Sequence, residues 1–192
     1  MRDIIEAIRG ANPSRTSDNL HRRIFKLGEE YGEIMEAYLN VTSASNGKGK
    51  TWDDVREEAV DFLIVAVDVA LTPIDGETTE DVLGDLSEIE LWLPENIDEI
   101  EYLLIDAYED AGSLAVSWRE FRRLHSGAKK RFLHECMRAV VVNAVLLSYT
   151  KYPDQIDFGE NVIADNVRKE VERKLAKWAK NRDTGRVATD AE

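Results

Sequence analysis

Two pairs of carboxylates at helical spacing are the residues best suited to chemistry in this 192-residue chain. Glu30 and Glu33 lie three residues apart, and so do Glu58 and Asp61. Because residues three apart share one face of an α-helix, each pair projects from its helix in one direction. If the two helices are antiparallel neighbours, as a short connection favours, the four carboxylates converge between them.

The second pair belongs to a segment, residues 59–71, that is apolar on nearly every side. A helix of that composition is expected to be buried. Buried carboxylates are costly unless a cation or a proton compensates them, so Glu58 and Asp61 need one or the other. Magnesium takes oxygen ligands and keeps waters and phosphate oxygens in its shell. The pattern therefore favours a site for Mg²⁺ and phosphate.

Three other acids of these segments are open to more than one interpretation. Glu29 and Glu36 lie opposite the apolar stripe of their helix and are equally consistent with a solvated face. Asp68 continues the acidic stripe of the apolar segment. Its carboxylate could pair with an arginine or accept a hydrogen bond from a ligand hydroxyl.

Other metal and nucleophile chemistries find little support. A ferritin-like di-iron site needs Glu-x-x-His pairs, and none of the three histidines follows a glutamate by three residues. The single cysteine, Cys136, excludes an intramolecular disulfide framework and a cysteine-based zinc site. Because it lies in an apolar segment, we expect a structural thiol rather than a nucleophile.

The overall charge narrows the class of partner. Acids outnumber bases 38 to 25, which gives a formal net charge of −13. Nucleic-acid binders carry a basic footprint, so this balance argues against them. The uninterrupted apolar runs are short and the N-terminal stretch does not resemble a signal peptide. We therefore expect a cytoplasmic protein that binds neither nucleic acid nor membrane.

Apolar residues recur at three- and four-residue spacing throughout, which predicts an all-α protein. Thr51 with Asp54 three residues later is typical of a helix-starting capping box. The predicted helices cover residues 3–10, 17–40, 51–71, 79–93, 97–124, 128–150 and 159–180, and residues 183–192 are expected to be disordered.

The second half of the chain echoes the first at an offset of 80 residues, for example Gly112 after Gly32. Tandem duplication explains this, as does the shared composition of any two amphipathic helices. The second half keeps the apolar pattern but not the acids: Ser113, Arg138, Val141 and Ser148 stand at the positions that correspond to Glu33, Glu58, Asp61 and Asp68.

Taken together, the two acidic motifs resemble a known signature. Glu29-Glu30-Tyr31-Gly32-Glu33, followed after 24 residues by Glu58-Ala59-Val60-Asp61, is similar to the pattern of the all-α nucleoside triphosphate pyrophosphohydrolases. That superfamily includes MazG, the dimeric dUTPases and the phosphoribosyl-ATP pyrophosphohydrolases. The resemblance covers residues 20–75.

The resemblance implies a reaction and a set of roles. Its members hydrolyse a nucleoside triphosphate between the α- and β-phosphates and release the monophosphate and pyrophosphate. By that likeness Glu30, Glu33, Glu58 and Asp61 would bind Mg²⁺, for which Mn²⁺ is expected to substitute. Glu29 would assist a second ion or orient water, and Glu33 would accept the proton of the attacking water.

Substrate-binding residues follow less directly. Besides Asp68, the candidates are the loop and C-terminal polar residues Lys48, Lys50, Lys177, Lys180, Asn181 and Arg182. The Lys-Asn-Arg run looks like the cluster with which the family binds phosphates. Bases at the end of a helix also complement its dipole, so this cluster has an equally good structural explanation.

The resemblance implies a MazG-like bundle with a tandem arrangement. Residues 1–95 would carry the metal site, residues 96–182 would form a degenerate copy packed against it, and residues 183–192 would be the tail. One chain would then build a pseudo-dimeric bundle with one active site, and a homodimer of such chains is also compatible. Two alternatives stay open: a dUTPase-like enzyme of different di- or triphosphate specificity, and a non-catalytic helical interaction module with a structural cation site.

Overall fold

The computed structural model describes residues 2–11, 17–77, 100–155 and 159–183. Six α-helices occupy most of these residues: α1 (Arg2–Ala11), α2 (Leu20–Thr42), α3 (Trp52–Ala70), α4 (Ile100–Leu124), α5 (Gly127–Tyr149) and α6 (Glu160–Asp183). The described ranges contain no strand, so the predicted all-α class is confirmed. The predicted helix over residues 79–93 and the tail from residue 184 lie outside the described residues.

The predicted helix boundaries agree with the structure to within a few residues. The capping box before α3 forms as predicted: the Thr51 amide donates to the Asp54 carboxylate at 2.7 Å, and the Asp54 amide donates to Thr51 Oγ1 at 3.3 Å. The helix over 159–180 extends further than predicted, to Asp183. Asp183, the first residue of the predicted tail, therefore still belongs to a helix.

Two antiparallel hairpins, α2–α3 and α4–α5, form the centre of the fold. They pack on each other mainly through α3 and α5, and α2 also contacts α4. The hydroxyl of Ser148 on α5 donates to the carbonyl of Ala59 on α3 at 2.9 Å, which marks the close approach of the two helices. Helices α1 and α6 cover the outer side of α3. One hydrophobic core includes residues from all six helices.

Helix α3 is the most deeply buried element, as its composition predicted. Every residue from Phe62 to Ala70 is buried, Asp68 among them. By length and composition α5 is apolar enough to cross a membrane, although the sequence's short apolar runs predicted no span. More than half of its most apolar stretch is buried inside the bundle, which is common to core helices.

Helices α2 and α4 are antiparallel neighbours. Tyr38, near the end of α2, donates its hydroxyl to Glu101 in the first turn of α4 at 2.7 Å. Tyr31, two turns earlier in α2, donates to the carbonyl of Leu104 at 3.1 Å. These contacts fix the register in which the two hairpins meet.

Candidate functional site

Three of the four predicted metal ligands come together between α2 and α3. Carboxylate oxygens of Glu30, Glu33 and Glu58 all lie within 4.8 Å of one another. Glu30 is buried with 5% of its surface exposed, Glu58 is half-buried, and Glu33 is exposed. The cluster therefore reaches from the core to solvent, so that one end can meet a ligand.

The antiparallel register of the hairpin explains why these acids meet. Arg23 at the start of α2 pairs with Asp68 near the end of α3, their charged groups 2.8 Å apart. Two to three turns further along α2, and about three turns back along α3, Glu30 and Glu33 come beside Glu58. The i, i+3 spacing then places each acid on the face that the two helices share.

Asp61, the fourth predicted ligand, lies beside the cluster and is held by a lysine. Lys174 of α6 donates its ammonium to the Asp61 carboxylate and, at 3.1 Å, to the carbonyl of Glu57. The same ammonium lies 3.7 Å from Glu170. Lys174 is buried and Asp61 is half-buried, so the lysine balances the charge of the acid at the margin of the core.

Sequence reasoning missed Lys174, although its position carries a signal. It falls three residues after Val171 and four before Trp178, on the face that α6 turns toward the core. A lysine at a position of the apolar stripe needs an acidic partner. The sequence does not identify that partner, because Asp61 lies more than a hundred residues away.

A second lysine, Lys26, joins the two acids that open the first motif. Its ammonium lies 2.9 Å from Glu29 and 2.8 Å from Glu30. Partial burial lowers the pKa of Lys26, but the hydrogen bonds to Glu30 and Glu29 outweigh burial and raise it overall. Glu29 itself is more than half exposed. Glu29 pairs with Lys26 near solvent and does not belong to the three-acid cluster.

Because the three acids are close together and partly buried, they favour binding of a proton or a cation. Burial raises the pKa of Glu30 to about 7; Lys26 opposes this rise, while Asp61 and Glu33 add to it. The pKa of Glu58 is raised by burial first and by Glu33 second. Oxygen donors whose charges repel one another suit a hard divalent ion such as Mg²⁺.

A pH dependence of metal binding follows from Glu30. Mg²⁺ must displace the proton, so its affinity should rise about fivefold between pH 6 and pH 7 and by no more than about twofold above pH 7. Without metal, the free energy of unfolding should fall as the pH rises, which is opposite to the trend of the Mg²⁺ affinity. The folded chain keeps this proton between about pH 4.5 and about 7 while the unfolded chain loses it, so the free energy of unfolding falls as pH rises through that window. Calorimetric titration with Mg²⁺, and urea unfolding in EDTA, measure the two effects.

The matched control is Glu30→Gln, which removes the titrating group and keeps the side chain's shape. In this variant the Mg²⁺ affinity and the free energy of unfolding should both depend less on pH than in the wild type. A wild-type Mg²⁺ affinity that is constant from pH 6 to pH 7 would contradict the prediction.

The predicted substrate-binding residues are placed at different distances from the cluster. Lys50 reaches it, with its ammonium 3.6 Å from Glu58 and 3.5 Å from Asp54. Lys48 instead pairs with the exposed Glu36 at the surface. Of the two loop lysines, only Lys50 is therefore positioned beside the acids.

The remaining predicted residues lie farther along the helices. Asp68 is paired with Arg23, the first of the two interpretations that the sequence left open. Lys177 and Lys180 are exposed on α6, one and two turns after Lys174. The side chains of Asn181 and Arg182 lie outside the described residues.

Comparison of the chain with family models, curated proteins and solved structures finds no match to any of them. The site is therefore interpreted from its own chemistry. It consists of three converging carboxylates from two helices and three lysines, Lys26, Lys50 and Lys174, that border the acids from separate segments.

Proposed function

We propose that this chain is a Mg²⁺-dependent nucleoside triphosphate pyrophosphohydrolase, which releases a monophosphate and pyrophosphate. The observation that carries the proposal is the convergence of Glu30, Glu33 and Glu58 within 4.8 Å at the edge of a buried helix. The choice of reaction rests on the resemblance of the two acidic motifs to the pyrophosphohydrolase signature.

Glu30, Glu33 and Glu58 would hold the metal. When bound, the ion neutralises phosphate charge and lowers the pKa of a coordinated water. Glu33 is the most exposed of the three acids, so its carboxylate is the best placed to accept a proton from water in the open part of the site. Glu29, held by Lys26 at the rim, would orient that water or assist a second ion.

The three lysines would offset the negative charge of the triphosphate. Lys50 comes from the loop before α3, Lys26 from α2 and Lys174 from α6, so they approach the acids from different sides. If a cation balanced the charge of Glu30, Lys26 would keep Glu29 as its partner and could also meet a phosphate oxygen. Lys48, Lys177 and Lys180 stay in the proposal as more distant phosphate contacts, and Asp68 as a ligand contact. Asn181 and Arg182 stay in it as phosphate contacts, with side chains outside the described residues.

The second hairpin would be a degenerate copy of the first that serves as its built-in partner. Helices α2 and α4 are each the first arm of an antiparallel hairpin, and the two hairpins pack on each other. The contacts also support a two-fold relation. At the 80-residue offset, Tyr108 corresponds to Gly28 and Ala111 corresponds to Tyr31. Tyr31 packs on Tyr108, and Gly28 and Ala111 line one groove between α2 and α4, so the two contacts are related by exchange of the halves.

One observation favours the alternative of a non-catalytic module. Lys26 and Lys174 already compensate Glu30 and Asp61, so part of the acidic charge is balanced without metal. In that case the acids and lysines would stabilise the junction of α2, α3 and α6. The cluster would then bind a cation without turning over a nucleotide.

A panel of nucleoside triphosphates, with dUTP and several diphosphates included, tests the proposal. We expect pyrophosphate release that requires Mg²⁺, persists with Mn²⁺ and disappears in EDTA. Orthophosphate from a diphosphate would keep the site but change the substrate class. No turnover of any nucleotide, with Mg²⁺ still raising the melting temperature, would overturn the proposal in favour of the module.

A further inference from the structure

Arg56 is a buried base in the first turns of α3. Its side chain is 5% exposed, and its Nη2 donates to the carbonyl of Thr150 at 2.9 Å. The guanidinium carbon lies 5.1 Å from the centre of the Tyr152 ring, which offsets part of the positive charge. In the described part of the chain Arg56 forms no ion pair, and its Nε has no hydrogen-bond partner. A buried charge without a counterion is costly, so the contacts of Arg56 favour an additional, anionic partner.

Two acids act on Arg56 without contacting it. Burial lowers the pKa of Arg56, whereas Tyr152, Asp53 and Asp154 partly oppose that effect. Both acids are exposed, and neither forms an ion pair with Arg56. Because their carboxylates are solvated at the surface, they leave the buried guanidinium without a direct counterion.

Arg56 forms part of the wall of a pocket between α3 and α6. The volume of this pocket is about 320 Å³. Besides Arg56, its wall consists of polar residues from the two helices: Asp53, Glu57, Asn166, Lys169, Glu170 and Arg173. One water molecule in the liquid takes about 30 Å³, so the pocket has room for a small organic molecule. A ligand that enters between α3 and α6 therefore meets the Arg56 side chain.

Three of the other charges in the pocket wall are already paired with each other. Arg173 lies 3.5 Å from Glu57 and also pairs with Glu170. Lys169 has no ion pair in the described ranges, but it is exposed, so solvent screens its charge. Arg56 is therefore the lining base whose charge calls for a counterion from a ligand.

We propose that the pocket between α3 and α6 binds a small organic acid, whose carboxylate pairs with the Arg56 guanidinium. The planar fork of a guanidinium matches the two oxygens of a carboxylate. A phosphate monoester fits less well, because it carries about two negative charges at pH 7 and would face the wall acids Asp53, Glu57 and Glu170. A single carboxylate balances Arg56 with one negative charge.

This site is distinct from the proposed metal site. Arg56 precedes Glu58 by two residues on α3, and each residue turns a helix by about 100°, so the two side chains point to nearly opposite sides. Glu58 meets Glu30 and Glu33 of α2, whereas Arg56 borders the pocket with α6. Binding of the organic acid can therefore be measured in EDTA without a nucleotide, and its failure leaves the proposed enzyme activity standing.

Nuclear magnetic resonance of the full-length chain tests the proposal. Sodium acetate, succinate, glutamate and benzoate are titrated in EDTA at constant ionic strength, with phosphate and chloride as controls. The Nε–H signal of Arg56, assigned through the backbone resonances, should move saturably with at least one carboxylate, because the guanidinium gains a charged partner. Chloride should leave it in place. No saturable shift with any of the four carboxylates, or tighter binding of phosphate, would overturn the proposal.

Substitutions test whether the carboxylate binds at Arg56. Arg56→Lys keeps the charge but removes the planar fork, so the dissociation constant measured by calorimetry should rise at least about tenfold. Lys169→Gln should weaken binding by only about twofold, since an exposed charge contributes little. Arg168→Gln is the matched control, because Arg168 pairs with Asp165 outside the pocket wall, and it should bind as the wild type does.

Circular dichroism checks that each variant is folded. Wild-type affinity in Arg56→Lys, or an equal loss in Arg168→Gln, would overturn the assignment of the carboxylate to Arg56. The titration of the wild type needs no variant, so a poorly folded Arg56→Lys leaves the proposal open to refutation.

Discussion

Replacing Glu58 by glutamine should lower Mg²⁺-dependent pyrophosphate release by about 10³-fold, because a metal ion contributes several kcal/mol to stabilising the transition state. Glu58 is the only member of the three-acid cluster that α3 supplies. Without its charge, the two glutamates of α2 would have to hold the ion from one side. The loss should appear in kcat/KM at saturating Mg²⁺, with the helical circular-dichroism signal retained.

Glu57→Gln is the matched control for this experiment. Glu57 precedes Glu58 on the same helix, is more than half exposed, and its carboxylate pairs with Arg173 outside the cluster. The control should keep wild-type turnover within about twofold, since an exposed ion pair contributes little. Equal activity of Glu58→Gln and the control would exclude the assigned site while leaving the fold untouched.

The helical architecture was predictable because helix formation follows from local signals. Periodicity fixed which face of α2 is buried, and the continuous apolar run marked α3 as a core helix. The Thr51 and Asp54 capping box located the start of α3 almost to the residue. Each of these signals needs only the sequence within one or two helical turns.

The convergence of the three acids could also be predicted from the sequence. A short loop makes α2 and α3 antiparallel neighbours, and the i, i+3 spacing orients each pair. The separation of Asp61 from the other acids was not predictable in the same way. It depends on Lys174, and the approach of α6 to α3 is a tertiary contact that periodicity leaves open.

The surface that α2 and α4 share illustrates a second limit. The sequence showed Leu27, Tyr31 and Ile34 as the apolar side of α2, but Phe25 and Leu39 lie off that stripe. Only the packing of α4 on α2 shows that these residues join Ile105 and Tyr108 on one surface. A residue's helical face follows from its spacing, whereas its neighbour on another helix follows from the assembled bundle.

Replacing Asp68 by asparagine should destabilise the fold by about 3 kcal/mol, because it removes one partner of a largely buried ion pair. The side chains of Arg23 and Asp68 are 14% and 10% exposed, and their charged groups lie 2.8 Å apart. Arg23 also donates to Thr72 Oγ1 at 3.4 Å, a weaker contact that does not replace a carboxylate. Urea unfolding in EDTA, followed by circular dichroism, measures the change without any contribution from metal. The double variant Arg23→Met with Asp68→Leu should recover part of the loss, since it removes both charges of this pair together.

The same variant decides between the two roles that the sequence allowed for Asp68. If Asp68 serves the fold through Arg23, Asp68→Asn should turn over a nucleotide with an unchanged KM under conditions in which it is folded. The surface pair of Asp165 and Arg168 provides the control, and Asp165→Asn should alter stability by no more than about 0.5 kcal/mol. An Asp68→Asn variant of wild-type stability whose KM rises tenfold would instead place this carboxylate on the substrate. The Arg23 pair would then be a resting contact that the ligand replaces.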